Sequence, residues 1–220
     1  MTFKKIWDFI DNFKSTDELF NQYIDKDPRV DLDNAPEIRK ENLDKYFRCF
    51  CEKTEGPRIL VVGEAAGPWG CRFSGVPFTG EKQLQEHVLP FKGSRSSKEV
   101  PLLKIRRISP YTSISAEIFW KVMKPYHPKF IVWDCVPFHP HYSNNILSVR
   151  NPKVKEILSC SELLKEIRDI FEPKLTLAVG RKAEFALKKI GVSCDYIRHL
   201  SQGGSNEFKS KIERSFKKDC

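Results

Sequence analysis

Nowhere does the sequence string together the roughly 20 apolar residues that a membrane-spanning helix needs, and its opening residues, MTFKKIWDF, do not read as a secretory leader. Its seven cysteines are an odd number without regular spacing, so reduced thiols in a cytoplasm are expected rather than a disulfide framework. The one close pair, Cys49-x-Cys51, has too short a gap for a zinc or iron-sulfur site; no metal and no cofactor is expected. Internal repeats, low-complexity tracts and linker-like shifts of composition are missing too. These absences leave a soluble, cytoplasmic, monomeric chain with no membrane partner, folded as a single domain over residues 1–220.

What the chain does have is positive charge. A formal +9 over 220 residues favours a polyanionic partner, although charge alone equally fits a surface of solvated lysines.

Phe3, Ile6, Trp7 and Ile10 share one helical face and Leu43, Tyr46, Phe47 and Phe50 another, so residues 1–56 read as an N-terminal helical cap. After Gly56-Pro57 come four short apolar runs: Ile59 to Val62, Phe130 to Val136, Leu175 to Val179, and Tyr196-Ile197 with its neighbours. Helical patterns separate most of them. Val154, Ile157, Leu158, Leu163, Leu164, Ile167 and Ile170 follow Asn151-Pro152 at helical intervals, and Arg181 to Ile190 is a helix stopped by Gly191. Strands alternating with helices predict an α/β fold, a three-layer α/β/α sandwich around a central, mainly parallel four-stranded sheet. Ligands then belong at the carboxyl ends of the strands, where segments 63–80, 134–145 and 199–205 all fall. The aperiodic stretch 91–112 carries Lys92, Arg95, Lys98, Lys104, Arg106 and Arg107, and a loop that long is usually functional or mobile.

Segment 63–80, GEAAGPWGCRFSGVPFTG, places Glu64 in a glycine-rich turn directly after the first strand. Glycines there let backbone approach a ligand closely. The turn is neither a Walker loop, since no Gly-Lys-Ser/Thr ends it, nor a GxGxxG fingerprint.

Four elements in order carry a more specific signal: Gly63-Glu64-Ala65-Ala66-Gly67, Pro77-Phe78-Thr79-Gly80, Asp134 within VWDCVPFHP, and His199-Leu200-Ser201. Together they resemble the motifs of the uracil-DNA glycosylase superfamily, over a core of residues 57–209. Ala66 stands where that pattern has a proline, and Leu200 replaces the proline after the histidine. Some branches of the superfamily hold an iron-sulfur cluster on four cysteines. Cys160 matches one such position but Cys135 does not, and no cluster is carried over.

The resemblance implies a monofunctional DNA glycosylase acting on double- or single-stranded DNA. Glu64 would position water or stabilise the sugar cation, and His199 would donate to the ring carbonyl. Phe78 would stack on the extruded base, while Ser201, Gln202 and Gly203 would grip a phosphate and fill the gap. Taken singly, Glu64 also reads as a helix-capping carboxylate, His199 as a structural histidine, Phe78 as a core aromatic and residues 201–203 as a solvent turn. No lysine sits in the matched motifs to form a Schiff base, so water completes the reaction.

Asp134 and Gly67 bear on the choice of base. Uracil readers of this superfamily carry an asparagine at the position of Asp134; a carboxylate accepts from the exocyclic amine of cytosine instead, and needs a shared proton to face the ring nitrogen beside it. Asp134 reads equally as a group one layer behind the ring. Glycine at 67 leaves room at pyrimidine position 5. A cytosine modified there, hydroxymethylated or glucosylated as in phage DNA, is therefore the expected substrate, with a defence role against phage. Uracil excision in base repair, a non-catalytic reader of modified bases and a small-molecule enzyme on the same scaffold are the alternatives.

Overall fold

The structure of the protein, a computed structural model, describes residues 3–51, 58–86, 89–99 and 107–217. Gly56, Pro57, Lys104, Arg106 and the side chain of Cys51 lie outside the described residues.

In chain order the elements are α1 (Lys4–Asn12), β1 (Leu19–Phe20), α2 (Ala35–Cys51), β2 (Ile59–Ala65), α3 (Cys71–Ser74), α4 (Glu81–Gln85), α5 (Ile114–Met123), β3 (Phe130–Val136) and β4 (His139–Pro140). They continue with α6 (Val154–Ser159), α7 (Ser161–Phe171), β5 (Leu175–Val179), α8 (Arg181–Lys189), β6 (Asp195–Ile197) and α9 (Ser205–Lys217). The central sheet has the order β3-β2-β5-β6 and is parallel throughout. Every residue of β3 is buried, which is why its sequence FIVWDCV is apolar almost without alternation: helices cover both faces.

The chain runs from β2 outward to β3, then back across β2 to β5. With right-handed crossovers these opposite directions send α5 to one face and α7 with α8 to the other. The packing agrees. Phe119 of α5 meets Phe208 of α9 at 5.8 Å on one side, while Phe47 of α2 meets Trp133 at 5.7 Å and Phe171 at 6.1 Å on the other. The reversal leaves a crevice beyond the carboxyl ends of β2 and β5, where ligands of such sheets bind.

The periodic run from Val154 is two helices rather than one. Cys160 (φ −98°, ψ 4°) ends α6 and precedes α7, so Ile157, Leu163, Leu164 and Ile167 are buried while Val154 and Leu158 face solvent. β1 and β4, which pair antiparallel as Leu19↔Pro140 and Phe20↔His139, have no counterpart in the sequence pattern because two residues carry no periodicity.

The N-terminal residues do more than cover the sheet. Asp31 accepts from Arg39 Nη2 (2.5 Å) and from Arg72 Nη1 and Nη2 (2.5 and 2.9 Å). Glu81 accepts from the backbone N–H groups of Ser96, Ser97 and Tyr111 and from the Ser97 hydroxyl. Asp31, Arg39, Arg72 and Glu81 are all fully buried. Burial, opposed by the acids, lowers the Arg39 guanidinium to about 10, so it stays charged at neutral pH. The resulting neutral cluster of two cations and two anions fastens α2 and residues 94–97 behind the loop that follows β2.

Candidate active site

A cavity of about 290 Å³ opens at the carboxyl end of the sheet. Glu64, Gly67 and Phe78 line it, and so do Asp134, His199, Ser201 and Gln202. Seven of the eight residues singled out in the sequence thus meet in one place. Gly203 does not line it; it is exposed and adopts φ +83° where the 3-10 turn Leu200–Gln202 ends.

Glu64 lies at the end of β2, just past the fully buried stretch Ile59–Gly63. Its Oε1 accepts the backbone N–H of Lys182 at 3.0 Å, which puts the carboxylate at the positive end of the α8 backbone dipole. This is possible because residue 180 is glycine: it holds φ +98°, and a side chain there would overlap the Glu64 carboxyl. Glu64 caps a helix and faces the cavity at once.

Asp134 stands beside Gly63 in the β2–β3 register. A side chain at 63 would overlap both the Phe78 ring and Asp134 Oδ1, so this glycine lets strand, ring and carboxyl come together. Phe78 is backed by Phe119 at 4.9 Å. The Asp134 side chain is buried, and among the described residues no hydrogen bond to its carboxyl is found. Burial, and after it the charge of Glu64, raises Asp134 to about 7.

His199 is half-buried, with Nδ1 at 2.9 Å from Ser201 Oγ. Burial lowers its pKa against the pull of Glu64, which keeps the imidazole neutral at pH 7. The direction of this bond follows the tautomer: when the Ser201 hydroxyl donates to Nδ1, the ring proton sits on Nε2. Leu200, in the place where the motif usually has proline, is buried.

Other lining residues were not among the site residues expected from the sequence. His139 reaches the carbonyls of Ala66 and Ile146, each at 2.8 Å, with its two nitrogens. Burial pushes this imidazole down to about 3, so at neutral pH it has one N–H and donates only one of these bonds. Arg150 forks onto Glu156 (2.7 and 2.9 Å) and binds the His141 carbonyl. Arg107 lies over the Trp69 ring at 4.9 Å. Arg107 belongs to the basic stretch 91–112, and His139 to the segment 134–145 at a strand end; nothing in the sequence marked Arg150.

An anchored carboxylate, a buried carboxyl that titrates near neutrality, a neutral imidazole and an aromatic ring therefore surround one cavity. Such a set can stabilise a cation, hold a flat ring and donate to a developing anion. Among the described residues no group of His, Cys, Asp and Glu is arranged to hold a metal, and no helix is long and apolar enough to cross a membrane.

An open parallel sheet with its site beyond the carboxyl ends is an architecture that α/β enzymes of many chemistries share, so the family match decides the class. The family model of the uracil DNA glycosylase superfamily matches residues 52–214, and the chain belongs to that superfamily. It is a DNA glycosylase. The crystal structure of wild-type SMUG2 from Pedobacter heparinus is similar in fold, with a TM-score of 0.58 over 97% of this chain and 96% of that one at 16% identity. None of the curated proteins compared matches the chain.

Proposed function

We propose that the protein hydrolyses the N-glycosidic bond of a pyrimidine swung out of DNA, and that its favoured base is a cytosine modified at position 5. The observation that carries this reading is the Asp134 carboxyl, buried beside Phe78 without a hydrogen-bond partner among the described residues. An unpartnered polar group in such a place is costly unless a ligand satisfies it. As a neutral acid it offers one donor and one acceptor, which match ring N3 and the exocyclic amine of cytosine. Its value of about 7 makes that proton available near neutral pH.

The proton has a second use. Cytosine leaves poorly as an anion; if Asp134 passes its proton to N3 while the bond from N1 to C1′ breaks, the ring departs neutral. Water adds its oxygen to C1′ and gives up a proton, and Asp134 regains one from solvent. Glu64 faces the sugar cation and orients the water, and Nε2–H of His199 donates to the ring carbonyl. Phe78 supports the face of the ring. Ser201 holds the imidazole in the donating tautomer, a role added to the phosphate contact that the motif suggested for it.

Gly67 supports the position-5 preference: a side chain there would meet nothing within 4 Å, so space is open on that side. Bases of this kind mark phage DNA, which fits the reading of a defence enzyme. The test is to incubate the protein with defined DNAs containing uracil, hypoxanthine, cytosine, hydroxymethylcytosine and its glucoside, and to identify the free base by mass spectrometry. The modified cytosines should be released and leave alkali-labile sites, and Asp134→Asn should shift release toward uracil. A parent and variant with the same base preference would overturn the assignment of Asp134.

A further inference from the structure

Three large apolar side chains stand exposed at the mouth of the polar site or next to a residue that lines it. Ile108 is 89% exposed, Val149 68% and Ile114 62%. Ile114 and Val149 line the cavity, and Ile108 follows Arg107, which lines it too. Ile108 comes from the loop before α5 and Val149 from the loop between β4 and α6, while Ile114 is the first residue of α5.

Neither loop is slack at these positions. Beside Ile108, Arg107 donates to the Thr112 carbonyl at 3.0 Å and lies over Trp69, while Ser109 Oγ bonds Arg95 and Ser97. Beside Val149, Ser148 Oγ binds the Tyr142 N–H and the Asn145 carbonyl, and Arg150 is clamped on Glu156 and the His141 carbonyl. Each apolar tip is thus held out by polar neighbours on either side of it. The loop after β6 offers nothing similar: Leu200 is buried, and Ser201, Gln202 and Gly203 are polar or bare.

We propose that Ile108 and Val149, with Ile114 behind them, enter the base stack of duplex DNA where the target nucleotide has left it. The occupant is the duplex itself, on three grounds. Val149 and Ile114 line the cavity that would receive the base and Ile108 adjoins its lining residue Arg107, the enzyme acts on DNA, and the formal charge of +9 attracts its backbone. Apolar wedges between base steps offset part of the unstacking cost and hold the gap open. The task that the sequence suggested for residues 201–203 thereby falls to side chains on other loops.

A single strand has no stack to enter, and this separates the wedge from the chemistry. In the double variant Ile108→Ala/Val149→Ala, the ratio of base release from a duplex to release from the same sequence as a single strand should fall about tenfold or more. Both positions are exposed, so the fold should tolerate the change, and an unaltered melting curve checks this. A second readout needs no bond cleavage: 2-aminopurine placed next to the target in a duplex should brighten when Glu64→Gln protein binds, and stay dim when Ile108→Ala/Val149→Ala is added to that protein. Equal losses on duplex and single strand, or undiminished brightening by the wedge variant, would overturn the proposal. Absence of base release by the parent, with the fluorescence pattern intact, would instead count against the substrate assignment alone.

Discussion

Glu64 Oε1 meets the backbone N–H of Lys182 at 3.0 Å and so joins the end of β2 to the start of α8. The contact fixes the carboxylate without consuming its charge. Glutamine preserves an acceptor for that N–H but cannot stabilise a cation. Glu64→Gln should therefore melt like the parent while base release falls by a factor on the order of 10² to 10³. Glu64→Ala should lose activity as well and also about 1 kcal/mol of stability, the cost of an uncapped helix start. Melting curves and single-turnover rates on the same preparations check both.

Asp134 gives stability and activity linked pH dependences. Its folded-state value of about 7 lies above the ordinary 3.8, so between those limits the folded chain keeps a proton that the unfolded chain has released. This contribution to stability is complete at low pH and is lost as pH rises through 7. Asp134→Asn removes it, so the variant should gain on the parent between about pH 5 and about pH 8, by roughly 3 kcal/mol at about 1.36 kcal/mol per unit. Denaturant midpoints at the two pH values measure the gain. Release of cytosine-type bases by the parent should decline over the same rise in pH as the acid loses its proton.

Gly63 tests how closely strand, ring and carboxyl must approach. Gly63→Ala would drive a methyl group into Phe78 and Asp134, an overpacking that should cost about 1–3 kcal/mol. Because both neighbours line the cavity, base release should drop further than the lost stability explains. Comparing rates well below the melting temperature distinguishes the two effects.

Arg39 tests whether the N-terminal residues belong to the site. Arg39→Ala leaves Asp31 with one cation in place of two, deep in the interior. Breaking a buried pair in this way typically costs about 3–5 kcal/mol, and calorimetry should find a loss of that size. Arg39→Lys should recover only part of it, since one ammonium cannot replace a guanidinium that bonds Ser96, Gln22 and Asp31 together.

The legible part of the molecule is the part whose information is local. Three apolar runs marked the strands β2, β3 and β5, because burial on both faces leaves a continuous apolar imprint, while β6, exposed at Asp195 and half-buried at Tyr196, showed only as the short run Tyr196-Ile197. Glu64 and His199 could be picked out because each follows such a run by two residues, and Asp134 because it is a charged residue inside one. Contacts between distant stretches left no imprint. Nothing near Asp31 in the chain announces Arg72, and nothing near Glu81 announces Ser96. The break at Cys160 was hidden because the apolar spacing continues across it, and Gly203 looked like its neighbours although the 3-10 turn directs it outward. Glu64 shows the limit from the other side: two readings of one carboxylate looked exclusive in the sequence, and the geometry of Gly180 allows both.

Asp31 and Arg39 come from one stretch of chain and Arg72 from another, and the Asp31 carboxylate meets both guanidinium groups only when the two stretches come together. A half-assembled molecule would expose naked charges to an oily interior, so intermediates that keep some of the catalytic geometry are disfavoured. The enzyme should exist either with its whole mouth formed or with none of it, and a protease that nicks the early residues should silence it outright instead of loosening it by degrees.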